Sequence, residues 1–368
     1  MNAPVGTGLI QIGLDIDADG RAASVMIQST RPAELAPRLF AGRNDEEIFA
    51  LAGQLFTLCG FSHQIAARCA IAAARGAETT STQCDVIGLA AEHLSESLRA
   101  TALGWASDVT AIATPLREAM SASRVLANQC RRQAPLAELA PAVDQLSNAA
   151  KAFGVVAEGR PAPKRGSFLA ALLDDAQRQT FLRTKAPDAL SSSDDFAVAQ
   201  ALAKGGARFA ALPALPGRRI ETGAFARHWR EAQTDAGSGL AARLAARIVA
   251  MQSALSSMQE ALTGLWRDDA GEWMAAGALG AGEGFAAVET ARGRLYHWAR
   301  LDADGRVGEY AVVAPTEWNF HPAGPFAEAL LGARISSGAA ARRRIGQLAA
   351  VFDPCVAFEI DLREVAHA

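Results

Sequence analysis

The chain has 368 residues, of which 50% are hydrophobic, 20% charged and 6% aromatic, with a formal net charge of −3. Its length suits one large domain or two or three modest ones, and its near-neutral charge argues against nucleic-acid binding and membrane-surface binding. No apolar run approaches the about 20 residues of a membrane span, and residues 1–8 lack the pattern of a targeting peptide, so we expect a cytoplasmic protein. Its five cysteines form no C-x-x-C pair, which predicts reduced thiols.

Strands are expected near both ends of the chain. Residues 8–30 predict a β-hairpin that turns at Asp19-Gly20, and residues 284–316 predict a unit of two or three strands with a turn at Asp304-Gly305. If strands from the two ends pair with each other, the termini lie close together and one domain contains all of the predicted strands and helices. We therefore predict a single domain over residues 1–368.

The middle of the chain, residues 44–266, has helical periodicity. Asn44 and Glu47 form a capping-box pattern for a helix through about Leu58. Pro141 is expected to break the region 114–153 into two helices. Further helices are expected from about residue 62, over 84–103 and over 239–266. Residues 317–368 are assigned to C-terminal helices and a cysteine motif, so the predicted fold class is α+β, mainly α.

Two cysteines have neighbours that suggest chemistry. Cys59 stands just before a predicted helix start and four residues before His63. The partial positive charge and free N–H groups of a helix N-terminus lower a thiol pKa. Cys355 follows Asp353-Pro354, and the proline fixes the backbone before the thiol. Taken alone, each is more often an ordinary structural thiol.

Five segments along the chain match, in order, the motifs of one protein family. These segments are Cys59 with His63, then residues 221–227, 289–293, 315–319 and 353–355. They resemble the R-x-C-G-x-C-x-x-x-H, E-T-G-P-L-A-R, E-A-P-R-G, V-P-T-x-W-N and D-P-C-x-x-C-x-x-H motifs of the large subunit of [NiFe]-hydrogenases. The resemblance implies the fold of that subunit, a helical bundle with added strands. In the family, four thiolates hold nickel, and two of them bridge to an iron that carries two cyanides and one carbon monoxide.

The departures from the family pattern are equally informative. Phe56 and Phe358 stand where two of the four thiols belong, and Asp361 replaces the final histidine. Asn44 is aligned with a carboxylate that lies near the nickel in the family. Because nickel would lose half of its soft thiolate ligands, the resemblance argues against nickel binding and against hydrogen turnover.

The residues that are kept suit the iron fragment, Fe(CN)2CO. The resemblance implies that Cys59 and Cys355 supply two thiolates to the iron. Arg292 and Thr316 would donate hydrogen bonds to the cyanides, whose nitrogen atoms carry negative charge. The remaining implied site residues are His63, as a donor to a thiolate sulfur, and Ala291 and Pro315, as an apolar wall beside the carbon monoxide.

These features resemble the HupK/HoxV-type hydrogenase expression/formation proteins. The resemblance implies a scaffold, not an enzyme, that holds Fe(CN)2CO transiently and passes it on. Its expected partners are the maturation proteins that assemble the iron fragment, with the apo large subunit as a candidate recipient, and neither nucleic acid nor membrane. Two alternatives stay open: a divergent catalytic large subunit, and a metal-free structural homologue.

Overall fold

The computed structural model describes residues 8–105, 108–156, 162–179, 185–232, 239–267 and 271–365. It is 53% helical and 18% strand, which confirms the α+β, mainly α class. The helices are α1 (Leu35–Phe40), α2 (Asp45–Leu55), α3 (Gly60–Ala74), α4 (Gln83–Trp105), α5 (Ala113–Arg131), α6 (Leu136–Phe153), α7 (Phe168–Gln177), α8 (Asp195–Ala211), α9 (Ala224–His228), α10 (Gly239–Leu262), α11 (Pro315–Asn319), α12 (Pro325–Leu330) and α13 (Gly338–Phe352). The strands are β1 (Leu9–Ile16), β2 (Ala22–Ser29), β3 (Asp188–Ala189), β4 (Ile220–Glu221), β5 (Met274–Gly280), β6 (Glu283–Thr290), β7 (Gly293–Leu301), β8 (Val307–Val313) and β9 (Ala357–Glu364).

The two ends of the chain meet in one three-stranded sheet with the order β2-β1-β9. The predicted hairpin is confirmed, because β1 and β2 pair antiparallel, and the Asp17 side chain accepts hydrogen bonds from the backbone of Asp19 and Arg21 in the turn. Strand β9 runs parallel to β1, with Leu9 opposite Ala357. The assignment of residues 317–368 to helices and a cysteine motif is therefore wrong for this last segment.

The second predicted strand unit is a separate four-stranded meander with the order β5-β6-β7-β8. It has one more strand than expected, because β5 precedes the predicted start at Gly284. Helix α3 covers one face so closely that a Cβ atom on Gly284 would lie 2.2 Å from the backbone nitrogen of Ala74. Helix α8 covers the other face, where Val198 packs with Trp298. The meander is thus held between two helices.

The helical body follows the predicted order with one correction. The capping box of Asn44 and Glu47 is present, and α2 ends at Leu55. Pro141 does not separate two helices, because it lies inside α6. The break comes earlier, before Pro135, where Gln133 has a positive φ of 49°. An interior proline loses one helical hydrogen bond, but the apolar side chains on the same helix, such as Leu139 and Leu146, are buried in the main core and keep it folded.

Candidate functional site

Cys59 occupies the N-cap position of α3, as predicted. The N–H groups that follow are not free, because those of Phe61 and Ser62 donate to the Glu92 carboxylate over 2.8 and 3.0 Å. Burial raises the pKa of the Cys59 thiol well above its ordinary value, and the nearby Arg292 only partly opposes this shift. The expectation that the helix N-terminus lowers this pKa is wrong, and the metal-free Cys59 thiol is protonated at neutral pH.

Cys355 is held by the turn between α13 and β9. Asp353 adopts a left-handed conformation with φ of 50° where α13 ends, and Pro354 leads to the thiol. The Thr316 hydroxyl donates to Cys355 Sγ over 3.2 Å and accepts the Cys355 N–H over 3.2 Å. Thr316 stands in the first turn of α11, next to Pro315 at the helix start. Two hydrogen bonds therefore fix the Cys355 thiol against α11.

The two thiols, nearly 300 residues apart in the sequence, line the same cavity. Its volume is about 160 Å³ and its walls are mostly apolar. Phe56 lies on the wall beside Cys59, and Val356 beside Cys355. The cavity also has a charged wall, which Arg31 and Glu317 contribute. The structure thus brings the two predicted metal ligands together.

Arg292 lies in the turn between β6 and β7 and is only 3% exposed. It is not among the residues that line the cavity, but its charge is close enough to act on the Cys59 thiol. Its Nη2 donates to Glu96 over 3.1 Å, and its Nε lies 3.2 Å from an Asp353 carboxylate oxygen. Its Nη1 is buried without a hydrogen-bond partner among the described residues. Burial opposes the charge of this guanidinium most strongly, but Asp353, the two thiols and Glu96 together outweigh it, and the pKa of Arg292 is raised. Ala291, in the same turn, is buried as well.

The matched segment 221–227 carries no predicted ligand, but it links the other matched segments to one another. The Thr222 backbone exchanges hydrogen bonds of 3.0 and 3.1 Å with the Asn319 side chain. The Thr222 hydroxyl accepts the Arg294 N–H over 2.9 Å. Arg227 forms an ion pair of 3.6 Å with Glu289. Segments far apart in the sequence therefore brace the turn that carries Arg292.

His63 is completely buried, and its ring stacks on Phe56 with 3.5 Å between the ring centroids. Its Nδ1 is 2.8 Å from His297 Nε2, and His297 Nδ1 is 2.5 Å from the Tyr310 hydroxyl. Burial, with help from His297, lowers the pKa of His63, so the ring is neutral. The hydrogen bond of His63 goes to His297, and its donation to a thiolate stays a prediction.

Comparison with known proteins places this site in a family. A family model described as "Nickel-dependent hydrogenase" matches residues 223–360. A "Hydrogenase expression/formation protein HupK" from Rhizobium leguminosarum bv. viciae is 40% identical over 97% of this chain and 98% of its own length. A "Hydrogenase expression/formation protein HoxV" from Cupriavidus necator is 32% identical over 92% and 93%. The chain belongs to the HupK/HoxV family of hydrogenase expression/formation proteins. This membership supports a role in hydrogenase maturation.

Solved structures of hydrogenases share the fold of this HupK/HoxV family member. The [NiFeSe] hydrogenase of Desulfomicrobium baculatum superposes with a TM-score of 0.63 at 15% identity, over 93% of this chain and 95% of that one. A NAD+-reducing [NiFe]-hydrogenase superposes with a TM-score of 0.59 at 16% identity, over 92% and 94%. The predicted large-subunit-like fold is confirmed.

The positions that depart from the hydrogenase pattern have different surroundings. Phe56 lines the thiol cavity, whereas Phe358 lies on β9 opposite Ile10 and packs against the main core. Asn44 is exposed, caps α2 and is not among the residues that line the cavity, so its alignment with a carboxylate near the metal stays a prediction. The carboxylate that lines the cavity is Glu317.

Sequence reasoning missed the cavity residues Arg31 and Glu317 and the Arg292 partner Glu96. Arg31 and Glu96 lie in no matched motif, Glu317 fills the variable position of the V-P-T-x-W-N motif, and the partners of all three are distant in the sequence. Among the described residues, no three His, Cys, Asp or Glu side chains are grouped so as to hold a metal ion. None of the described helices combines the length and apolar character that a membrane span needs.

Proposed function

We propose that the chain is a scaffold that binds the Fe(CN)2CO fragment and passes it to a hydrogenase large subunit. The observation that carries this proposal is that Cys59 and Cys355 line one cavity of about 160 Å³. A cavity of about 150 Å³ accommodates benzene, which has six non-hydrogen atoms, and the iron fragment has seven. The cavity therefore has the size for this cargo.

The donor set favours a metal that brings ligands of its own. Two thiolates leave a bare nickel or zinc ion short of the four ligands that such ions take from soft side chains. The iron of Fe(CN)2CO already carries three diatomic ligands, so two thiolates bring it to five ligands. With two thiol contacts, a second protein can exchange its own thiolates for those of the scaffold. A carrier that must release its cargo benefits from such a small ligand set.

The polar groups at the site also suit cyanide. Arg292 Nη1 is a buried cationic donor without a partner among the described residues, and such groups call for an explanation. A bound cyanide nitrogen would accept this hydrogen bond and offset the charge. Ala291 and Pro315 directly precede the two predicted donors, Arg292 and Thr316. Both are buried and offer the apolar surroundings that suit the neutral carbon monoxide. The maturation proteins that build the fragment would load the site, and the apo large subunit would empty it.

The test is infrared spectroscopy with metal analysis on protein purified anaerobically from a strain that contains the maturation genes. We expect cyanide and carbonyl bands, iron, little nickel and no hydrogen turnover. Cys59→Ala and Cys355→Ala should each abolish the bands, whereas Cys84→Ala, at a buried thiol that is not among the residues lining the cavity, should keep them. Nickel with hydrogen turnover would instead indicate a catalytic large subunit. Absent bands, together with intact hydrogenase maturation in both cavity variants, would indicate a metal-free structural homologue.

A further inference from the structure

The Thr316 hydroxyl is already used inside the protein. A hydroxyl has one proton to donate, and that of Thr316 points to Cys355 Sγ at 3.2 Å. Its oxygen accepts the Cys355 N–H. The residue that resemblance assigns to one of the two cyanides is therefore committed to orienting a thiol. With Arg292 donating to one cyanide, the second cyanide needs another donor at the cavity.

Arg31 is the cation in the wall of that cavity. It follows the end of β2, and its side chain lines the cavity together with Cys59 and Cys355. Its Nη1 donates to both carboxylate oxygens of Glu317, over 3.0 Å each. Glu317 directly follows Thr316 in α11, so the same short helix positions the Cys355 thiol and the Arg31 guanidinium. The Arg31 side chain retains 18% exposure.

Most of the donors of Arg31 are unused. A guanidinium has five N–H donors, of which those on Nε and Nη2 have no hydrogen-bond partner among the described residues. Burial opposes the charge, but Cys355, Glu317 and Cys59 together raise the pKa of Arg31, so the group stays cationic. Guanidinium donors form strong charge-assisted hydrogen bonds with anionic acceptors.

We propose that Arg31 is the second cyanide-binding residue of the cargo site, held in place by Glu317, while Thr316 orients Cys355. The proposal rests on the proposed function, because it needs the iron fragment as cargo. The two cyanides would then meet two guanidinium groups of different character. Arg292 is locked between Glu96 and Asp353 in the interior, whereas Arg31 is partly exposed at the cavity. The partly exposed arginine gives a recipient protein access to the cargo.

The experiment compares anaerobically purified wild-type protein with Arg31→Gln, Arg31→Lys and Glu317→Gln by infrared spectroscopy and iron analysis. Arg38→Gln is the matched control, because Arg38 is an exposed arginine on α1 paired with Glu34. Circular dichroism verifies that each variant is folded. We expect Arg31→Gln to lose several-fold in iron content and to change the separation of the two cyanide bands, with a smaller change at the carbonyl band. Arg38→Gln should match the wild type.

The variants keep the proposal open to contradiction. If Arg31→Gln retains too little iron for a spectrum, Arg31→Lys is used, because a point charge replaces the planar donor and should still shift the cyanide bands. Glu317→Gln should shift them in the same direction by a smaller amount. Unchanged cyanide bands in Arg31→Lys or Arg31→Gln at wild-type iron content would overturn this inference alone. Absence of the bands in the wild-type protein would instead overturn the proposed function.

Discussion

The two thiols of the cavity lie on different kinds of structure, although each has lost a partner thiol of the hydrogenase pattern. Cys59 caps α3, and the phenylalanine three residues before it, Phe56, faces the cavity and stacks on His63. Cys355 precedes β9, and the phenylalanine three residues after it, Phe358, lies in that strand. Both phenylalanines are partly buried against the main core, but Phe358 is not among the residues that line the cavity. We refer to these as the Cys59 arm and the Cys355 arm.

The difference teaches that equivalent replacements in the sequence have unequal consequences in the structure. On the Cys59 arm, Phe56 occupies the position of the missing thiol and forms part of the cavity wall. On the Cys355 arm, Phe358 occupies the position of the missing thiol and lies in β9, the strand that pairs with β1.

Restoring each thiol should give the largest contrast. Phe56→Cys adds a thiol to the cavity that already has Cys59 and Cys355, and three thiolates bind Zn²⁺ far better than two. We expect Zn²⁺ affinity to rise by roughly a hundredfold, and Phe358→Cys, whose new side chain faces the core, to stay near the wild-type value. Isothermal titration calorimetry on reduced protein measures both. Equal gains would refute the difference between the arms.

Truncating each phenylalanine should reverse the order of the effects. Phe358→Ala removes core packing and a strand-forming residue opposite Ile10, so we expect it to lower the free energy of unfolding by about 2 kcal/mol. Phe56→Ala enlarges an existing cavity and should cost about 1 kcal/mol. Denaturant unfolding of the metal-free protein compares them. A larger loss for Phe56→Ala would show that the Cys59 arm carries more of the fold than proposed.

Acid should weaken iron retention through the Cys59 arm. Burial raises the pKa of Cys59 above its ordinary value of 9.0, so the metal-free thiol is protonated near neutrality and must lose that proton to bind iron. The apparent affinity for iron should then rise with pH and fall at least about tenfold for each unit that the pH is lowered, because the Cys59 thiol alone releases one proton when it binds. Iron retained against a chelator, measured by infrared intensity between about pH 6 and pH 8, gives the slope. Retention that is flat, or that improves in acid, would contradict this.

The smallest expected effect concerns the hydroxyl that orients Cys355. Thr316→Val keeps the shape but removes the bonds to the thiol and its N–H, which should cost about 1 kcal/mol, or roughly fivefold in iron affinity. Thr316→Ser keeps the hydroxyl and is the control. Ser62→Ala, on the Cys59 arm, leaves Glu92 two backbone donors and should change iron content less. Competition with a chelator ranks the three variants, and a loss in Thr316→Ser as large as in Thr316→Val would argue against the hydroxyl.

Local signals predicted the parts of the fold that depend on local structure. The Asp19-Gly20 turn and the Asn44 capping box are correct because both are short-range interactions. Strand β9 was missed although Phe358, Ile360 and Leu362 alternate with charged residues, a pattern typical of a strand. Pro141 was misjudged because packing of α6 outweighs one lost hydrogen bond.

The candidate site depends on contacts that a single sequence does not reveal. Arg31 and Glu317 are 286 residues apart, and nothing near either one indicates the pair. The pKa of Cys59 moves opposite to the prediction because the thiol is buried, and the Glu92 carboxylate at the start of α3 adds to the rise. The motif resemblance predicted that Cys59 and Cys355 belong to the same metal site. Their common cavity follows from the fold, which brings the start of α3 and the turn between α13 and β9 to one place.

The central claim is that two thiols from opposite ends of the chain hold one iron atom. Iron K-edge X-ray absorption on anaerobically purified wild-type protein counts the sulfur atoms bound to that iron. The account predicts two sulfur ligands per iron, together with the carbon ligands of the diatomic groups. Iron without sulfur ligands, or thiolate ligands found on nickel instead of iron, would contradict it.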